Sequence, residues 1–290
     1  MLTAVPATIR EHVAKALNTE LKNFSFCSGG CINHGGKLTT QAGDFFLKWN
    51  DLKKFPGMFE AEAKGLKLLL KPSVIDVPEV VLVAADDTYQ FIVMEFIVER
   101  SKASTYWKHL GKQLAALHQN LSSSYGLDHD NYIGSLSQFN KPSRKWVDFF
   151  IEQRLEVQVK LASDNQRIDK NIINQFASLY KKLPGILPEE PPSLLHGDLW
   201  SGNLITNGHG DPCLIDPAVY YGNRECELAF TKLFGGFSEE FYNSYNDAFP
   251  LQSGFQIRFD VYNLYPLMVH VNLFGGGNLS QVVSILRHFV

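Results

Sequence analysis

Several things are missing from this 290-residue chain, and each absence removes a class of function. No apolar run reaches the ~18 residues that a membrane-spanning helix needs. The first residues, MLTAVPATIREHVAKAL, carry charges at helical spacing and lack the apolar core of a signal peptide. Only four cysteines occur (Cys27, Cys31, Cys213 and Cys226), and none forms a CxxC pair. A disulfide framework is therefore not expected, and a reduced, cytoplasmic setting is. A net charge of −3 gives no basic surface for nucleic acid. No internal repeat and no low-complexity stretch interrupts the chain, and 45% hydrophobic with 20% charged residues is an ordinary globular composition.

What is present is organised around one stretch, Leu194–Leu195–His196–Gly197–Asp198–Leu199–Trp200–Ser201–Gly202–Asn203, followed by Leu214–Ile215–Asp216. Transfer of a phosphoryl group needs charge neutralisation and alignment more than covalent help, so hard oxygen groups must converge from a short loop. Asp198 has the place of a carboxylate that accepts a hydroxyl proton. Asn203, five residues on, and Asp216, on the next strand, have the places of Mg²⁺ ligands. Asn207–Gly208 is a turn signal that predicts a hairpin returning Asp216 towards Asn203. Any one of these residues could be a cap or a turn; together, in order and between two apolar strands, they point to a kinase-type centre.

Upstream, Gly29 and Gly30 lie in a paired-glycine turn between two strand-like runs, where backbone can approach phosphate closely. A ligand-free hairpin turn uses the same residues, and both readings stand on this stretch alone. Lys48 interrupts the apolar strand Phe45–Phe46–Leu47–Lys48–Trp49, as a lysine paired with an anion would. The helix from Met58 places Phe59, Glu62, Ala63, Leu66 and Leu69 or Leu70 on one face, which makes Glu62 the expected partner of Lys48 and Glu60 a solvated neighbour. Strands at Val80–Val83 and Phe91–Met94 complete a small antiparallel sheet. The connector Glu95–Phe96–Ile97 leaves it with main-chain groups available to adenine.

From Ser104 onwards the pattern is helical, with Leu110, Leu114, Leu117 and Leu121 as a core stripe and His118 beside it as a packing histidine. Helices are expected over 146–161 and 168–183, a linker over 184–192, and aromatic-rich helices over 224–249 and 255–290, broken at Gly235–Gly236 and Gly275–Gly276–Gly277. The fold class is α+β: a bilobal, protein-kinase-like arrangement with a small antiparallel sheet lobe carrying one main helix (residues 1–94), a hinge (95–100) and a larger helical lobe (101–290). ATP would lie in the cleft between the lobes.

The chain resembles the fructosamine-3-kinase (ketosamine-3-kinase) family within the aminoglycoside-phosphotransferase-like kinases. The residues that carry the likeness are Met58–Phe59–Glu60–Ala61–Glu62–Ala63, Leu195 to Asn203, Asp216–Pro217–Ala218–Val219–Tyr220–Tyr221–Gly222 with Arg224–Glu225, and Asn272–Leu273–Phe274–Gly275–Gly276–Gly277. The resemblance implies that Asp198 is the base, Asn203 and Asp216 hold Mg²⁺, Lys48 grips the ATP phosphates, and Glu95 to Ile97 hold adenine. It implies phosphorylation of the 3-hydroxyl of a ketosamine, a sugar adduct on a free, peptide or protein amine. The 3-phosphate then falls away and restores the amine. A kinase for aminoglycosides, choline or homoserine would share Asp198, Asn203 and Asp216, but would not be expected to carry Trp200 with the paired tyrosines. No Ala-Pro-Glu segment follows Asp216, against a protein kinase. Trp200 and Trp146 are candidates to pack on the sugar. Cys31, in the expected phosphate loop, is a candidate redox thiol, able to pair with Cys27 or with Cys31 of a second chain.

Overall fold

The computed structural model describes residues 1–27 and 33–290. Two compact units emerge, one formed by Met1–Tyr106 with Leu204–Asp216, the other by Trp107–Asn203 with Pro217–Val290. The hairpin after Asn203 thus groups with the sheet rather than with the helices that flank it in sequence.

In the first unit, helix α1 (Ala7–Leu17) precedes strands β1 (Leu21–Phe26), β2 (His34–Thr40) and β3 (Asp44–Asp51), helix α2 (Met58–Leu70), and strands β4 (Val80–Ala85) and β5 (Tyr89–Glu95). The five strands form one antiparallel sheet in the order β1-β2-β3-β5-β4. Ile9 and Val13, one helical turn apart, put α1 onto a core of Phe24, Leu38, Leu47, Trp49, Phe91 and Val93. Complete burial of such side chains contributes about 1.5–3 kcal/mol each. Helix α2 buries Phe59, Ala63, Leu66 and Leu69, the expected face.

The second unit contains helix α3 (Tyr106–His118, whose first residue groups with the sheet), the short strands β6 (Asn131–Ile133) and β7 (Leu136–Gln138), and helix α4 (Trp146–Phe149). A π-helical turn over Phe150–Leu155 joins α4 to α5 (Glu156–Asp164), and α6 (Lys170–Ile186) and β8 (Ser193–Leu195) follow. The hairpin strands β9 (Leu204–Thr206) and β10 (Pro212–Leu214) belong to the first unit. Strand β11 (Tyr220–Gly222) then pairs with β8, and helices α7 (Glu225–Leu233), α8 (Glu239–Ala248), α9 (Phe255–Phe274) and α10 (Leu279–Phe289) complete the chain. Helix α9 is buried along most of its length.

The expected linker at 184–192 starts later than the sequence suggested, because α6 carries Pro184 in its last turn. A proline there forfeits only one hydrogen bond, and Leu183 is fully buried beneath it. None of the helices among the described residues is long and apolar enough to cross a membrane.

Candidate active site

Strand β3 delivers Lys48 into a buried position, where its ammonium meets Glu62 Oε1 from α2 at 2.7 Å and Asp216 Oδ1 at 2.5 Å. Burial opposes the charge on Lys48, but the carboxylates of Asp216 and Glu62 outweigh it and hold the lysine above its ordinary range. Burial pushes the Glu62 carboxyl upward, against the pull of Lys48. Asp216 follows β10 with φ of +55°, in the left-handed region that an aspartate tolerates better than a branched residue, and 43% of its side chain stays exposed. Glu60 is exposed, as its off-face position required.

Glu95 closes β5, and its N–H is taken by Glu79 O at 2.8 Å. The main-chain groups of Phe96 and Ile97 make no hydrogen bond among the described residues, which leaves them open to a ligand. The Phe96 ring lies 4.8 Å under the ammonium of Lys37, itself paired with Asp44 at 2.7 Å. Gly29, Gly30 and Cys31 lie outside the described residues, and with them the phosphate-loop, redox and disulfide-dimer expectations. Among the described residues Cys27, Cys213 and Cys226 are free thiols.

In the second unit, β8 feeds the stretch His196–Asn203. Gly197 has φ of +85°, and a Cβ there would stand 2.0 Å from Ala218 O, so only glycine fits the bend before Asp198. Ala218 N donates to His196 O at 2.9 Å, tying the loop to the segment before β11. Asn203 Nδ2 donates to both Asp198 O and Asp198 Oδ2 at 2.9 Å. That fixes the Asp198 carboxylate, and Asn203 Oδ1 takes no part in these two bonds. Trp200 is 37% exposed, and its ring lies where a Cβ on Gly202 would stand 2.2 Å away. The benzo ring of its indole is folded back towards that glycine, and over a third of the side chain stays exposed.

Trp146 does not share this position. It is completely buried among Tyr125, Phe149, Phe150 and Tyr262, so no face remains for a sugar. Its place at the start of α4 makes it a core residue, and the expected substrate contact is withdrawn.

Sequence reasoning missed the group that holds the loop from behind. Glu227, on α7 and fully buried, accepts from Gly197 N at 2.7 Å, His196 N at 3.2 Å and His118 Nε2 at 2.8 Å. Burial alone would raise its pKa, but His118 and the loop N–H groups overcome this and lower it. His118 Nδ1 in turn meets Tyr245 Oη at 2.8 Å. An acidic residue inside the apolar run Cys226–Glu227–Leu228–Ala229–Phe230 was the available signal.

Asp216 in the first unit offers a half-exposed carboxylate, and Asn203 in the second an amide oxygen; both are the hard oxygens that Mg²⁺ takes. No group of three or more acidic, histidine or cysteine side chains suited to a metal occurs among the described residues, so phosphate oxygens and water would fill the remaining positions.

Comparison with known proteins gives the chain a family. The fructosamine kinase family profile matches residues 1–290. The chain is 42% identical over 266 residues to a Vibrio parahaemolyticus protein named "probable ketoamine kinase", covering 91% of each. It is 37% identical to the Arabidopsis thaliana "protein-ribulosamine 3-kinase, chloroplastic", over 94% of this chain and 84% of that one. A solved structure from Thermobifida fusca, described as a "putative fructosamine-3-kinase", superposes with a TM-score of 0.88 at 30% identity, covering 98% of both chains. An aminoglycoside phosphotransferase at 14% identity shares the fold, with a TM-score of 0.62 over 98% of this chain and all of that one.

Proposed function

The chain belongs to the fructosamine kinase family, and from that premise we propose that it transfers the γ-phosphoryl group of ATP to the 3-hydroxyl of a ketosamine. The observation that carries the reading is the ion cluster of Lys48, Glu62 and Asp216. A buried lysine held by one carboxylate, with a second half-exposed carboxylate beside it, is the arrangement that grips nucleotide phosphates.

In this reading Asp198, fixed by Asn203, accepts the proton of the attacking 3-hydroxyl as its oxygen bonds to phosphorus and the bond to ADP breaks. Lys48 neutralises charge on the phosphates, and Glu62 keeps its ammonium aimed. Phe96 and Ile97, with the Glu95 carbonyl, take adenine through main-chain groups. Asp216 and Asn203 would hold Mg²⁺, which when bound supplies charge neutralisation at the phosphate oxygens. The exposed part of the Trp200 indole packs on the sugar. The phosphorylated adduct then loses its sugar spontaneously, freeing the amine, so the outcome is deglycation. The relatives' names support ribulosamines on protein as well as smaller ketoamines. A reducing cytoplasm is the compartment of this reading, although the plant relatives are named chloroplastic.

The test is ATP consumption across ketosamines of four, five and six sugar carbons, with kanamycin and choline alongside. Turnover confined to ketosamines supports the reading; turnover of kanamycin or choline alone overturns it.

A further inference from the structure

Arg154 lies in the π-helical turn Phe150–Leu155, a kind of turn that is rare and recurs at functional sites. It is completely buried, and it has no carboxylate partner among the described residues. Its guanidinium carbon faces the rings of Tyr220, Phe149 and Tyr265, at 4.0, 4.7 and 5.5 Å from their centroids. It donates to Phe139 O at 2.5 Å, to Gln153 O at 3.1 Å and to Asn140 Oδ1 at 2.8 Å, and its buried Nε has no partner. Withdrawing a cation from water without a counter-ion is costly, and an apolar side chain would pack against the same rings without that cost.

The guanidinium meets one side-chain acceptor, Asn140, and from there a ladder of amides runs to the catalytic loop. An arginine only donates, so Asn140 turns its oxygen to Arg154 and its N–H groups away. Asn140 Nδ2 donates to His129 O and to Asn131 Oδ1, both at 3.1 Å. Asn131 Oδ1 also takes Gln138 Nε2 at 2.8 Å, and Asn131 Nδ2 donates to Val219 O at 2.8 Å. Gln138 Nε2 donates as well to Ala218 O at 3.0 Å, while its Oε1 accepts from Tyr265 Oη at 2.8 Å. All three amides are buried, and the arginine at the head of the ladder sets the orientation of each. The ladder ends on the carbonyls of Ala218 and Val219. Ala218 is the residue whose N–H holds His196 O and whose carbonyl stands against Gly197, directly before Asp198.

We propose that Arg154 is a positioning residue for Asp198: through Asn140, Asn131 and Gln138 it orients the Ala218 and Val219 peptide groups that hold the loop ahead of the base. The proposal rests on Asp198 being that base. Glu227 takes the N–H groups of His196 and Gly197, and the ladder's end takes the His196 carbonyl, so donors and acceptors of the loop are both gripped. A shift of about 1 Å in a catalytic group costs on the order of 10²-fold in rate, so the ladder acts on kcat and not on ATP binding.

The experiment cuts the ladder at two points. Arg154→Met removes the donor at its head and frees Asn140 to turn over. Asn140→Asp keeps the shape and gives Arg154 a carboxylate, but offers no N–H to Asn131, which must then swing its own N–H groups away from Val219 O. For each variant kcat and KM are measured per folded molecule, with ATP and a ribulosamine-modified lysine peptide, beside the thermal midpoint and the hydrogen-exchange rate of Ala218 N–H. Both should lose about 10–100-fold in kcat with KM for ATP unmoved. Ala218 N–H should exchange about tenfold faster in both, the worth of one loosened hydrogen bond. Asn140→Asp should keep its thermal midpoint within a few degrees of wild type, because the buried cation gains a counter-ion. Wild-type kcat per folded molecule in Asn140→Asp makes the ladder a folding element and overturns the proposal. If that variant does not fold, the same reading of Arg154→Met decides, and failure of both to fold also overturns it. Absence of ketosamine turnover in the wild type overturns the function instead; Ala218 N–H exchange needs no substrate, and an unchanged rate in the variants then overturns the ladder.

Discussion

The ammonium of Lys48 lies 2.5 Å from a carboxylate oxygen of Asp216, a residue 168 positions further along the chain. Glu62 holds the same ammonium at 2.7 Å. A buried lysine with two carboxylates is charged at any working pH, and its charge is already aimed at the residue proposed to meet Mg²⁺ and phosphate. In Lys48→Met the two carboxylates face each other without a cation, and like charges that close cannot both stay ionised. KM for ATP should rise and kcat/KM fall by at least about 10²-fold, as expected when a charged hydrogen-bonding partner of the phosphates is lost. An unchanged KM for ATP removes the phosphate role from Lys48.

Asp216→Ala should weaken Mg·ATP binding and abolish turnover at ordinary Mg²⁺. Asn203→Ala should do so less severely, because an amide contributes less charge than a carboxylate. The readout is activity against Mg²⁺ concentration. Curves that overlay the wild type for both variants would rule out the metal assignment.

Glu227 supplies a prediction with a pH sign. Its native pKa lies below the ordinary 4.5, so its stabilising contribution is complete above about pH 4.5 and is lost as pH falls through the native value. Glu227→Gln should therefore be less stable than wild type by about 2 kcal/mol at pH 7, the scale of a buried hydrogen bond to a charged group. The gap should narrow as pH drops below 4.5. Because the carboxylate holds Gly197 N, kcat should also fall by ~10–100-fold, the cost of a misplaced catalytic group. A gap independent of pH would show that Glu227 does not carry its charge in the fold.

Gly202 gives a steric test of Trp200. A methyl group at position 202 collides with the indole, and the ring has to swing away. Gly202→Ala and Trp200→Leu should each raise the ketosamine KM by about tenfold, on the scale of lost aromatic packing, with KM for ATP little changed. If Trp200→Leu leaves the ketosamine KM where it was, the indole does not cover the sugar.

How much of this was legible in the sequence depended on whether the signal was local. Lys48 in an apolar strand and Glu62 on the inward stripe of α2 are pattern facts, and the pairing followed from them. The β9–β10 hairpin was legible from Asn207–Gly208, and Asp216 at its exit came with it. Glu227 was not, because its role depends on meeting His118, more than 100 positions away, and on the backbone of Gly197; no periodicity records such contacts. Trp146 was misjudged for the complementary reason. A tryptophan at a helix start reads alike whether its ring faces solvent or Tyr125, Phe150 and Tyr262, and tertiary packing decides. The extension of α6 through Pro184 shows a buried neighbour, Leu183, overriding a local stop signal.

The central claim is that Asp198 activates a sugar 3-hydroxyl for attack on ATP. It is tested most directly by following phosphorus NMR of ATP with a ribulosamine-modified lysine peptide, for wild type and Asp198→Asn. The account predicts a new phosphate monoester on carbon 3 with wild type, then inorganic phosphate and unmodified lysine as the sugar leaves. Asp198→Asn should form it ~10²–10⁴-fold more slowly, the usual worth of a general base, with ATP affinity retained. No ester on the sugar with wild type, or Asp198→Asn within a few-fold of it, would contradict the account.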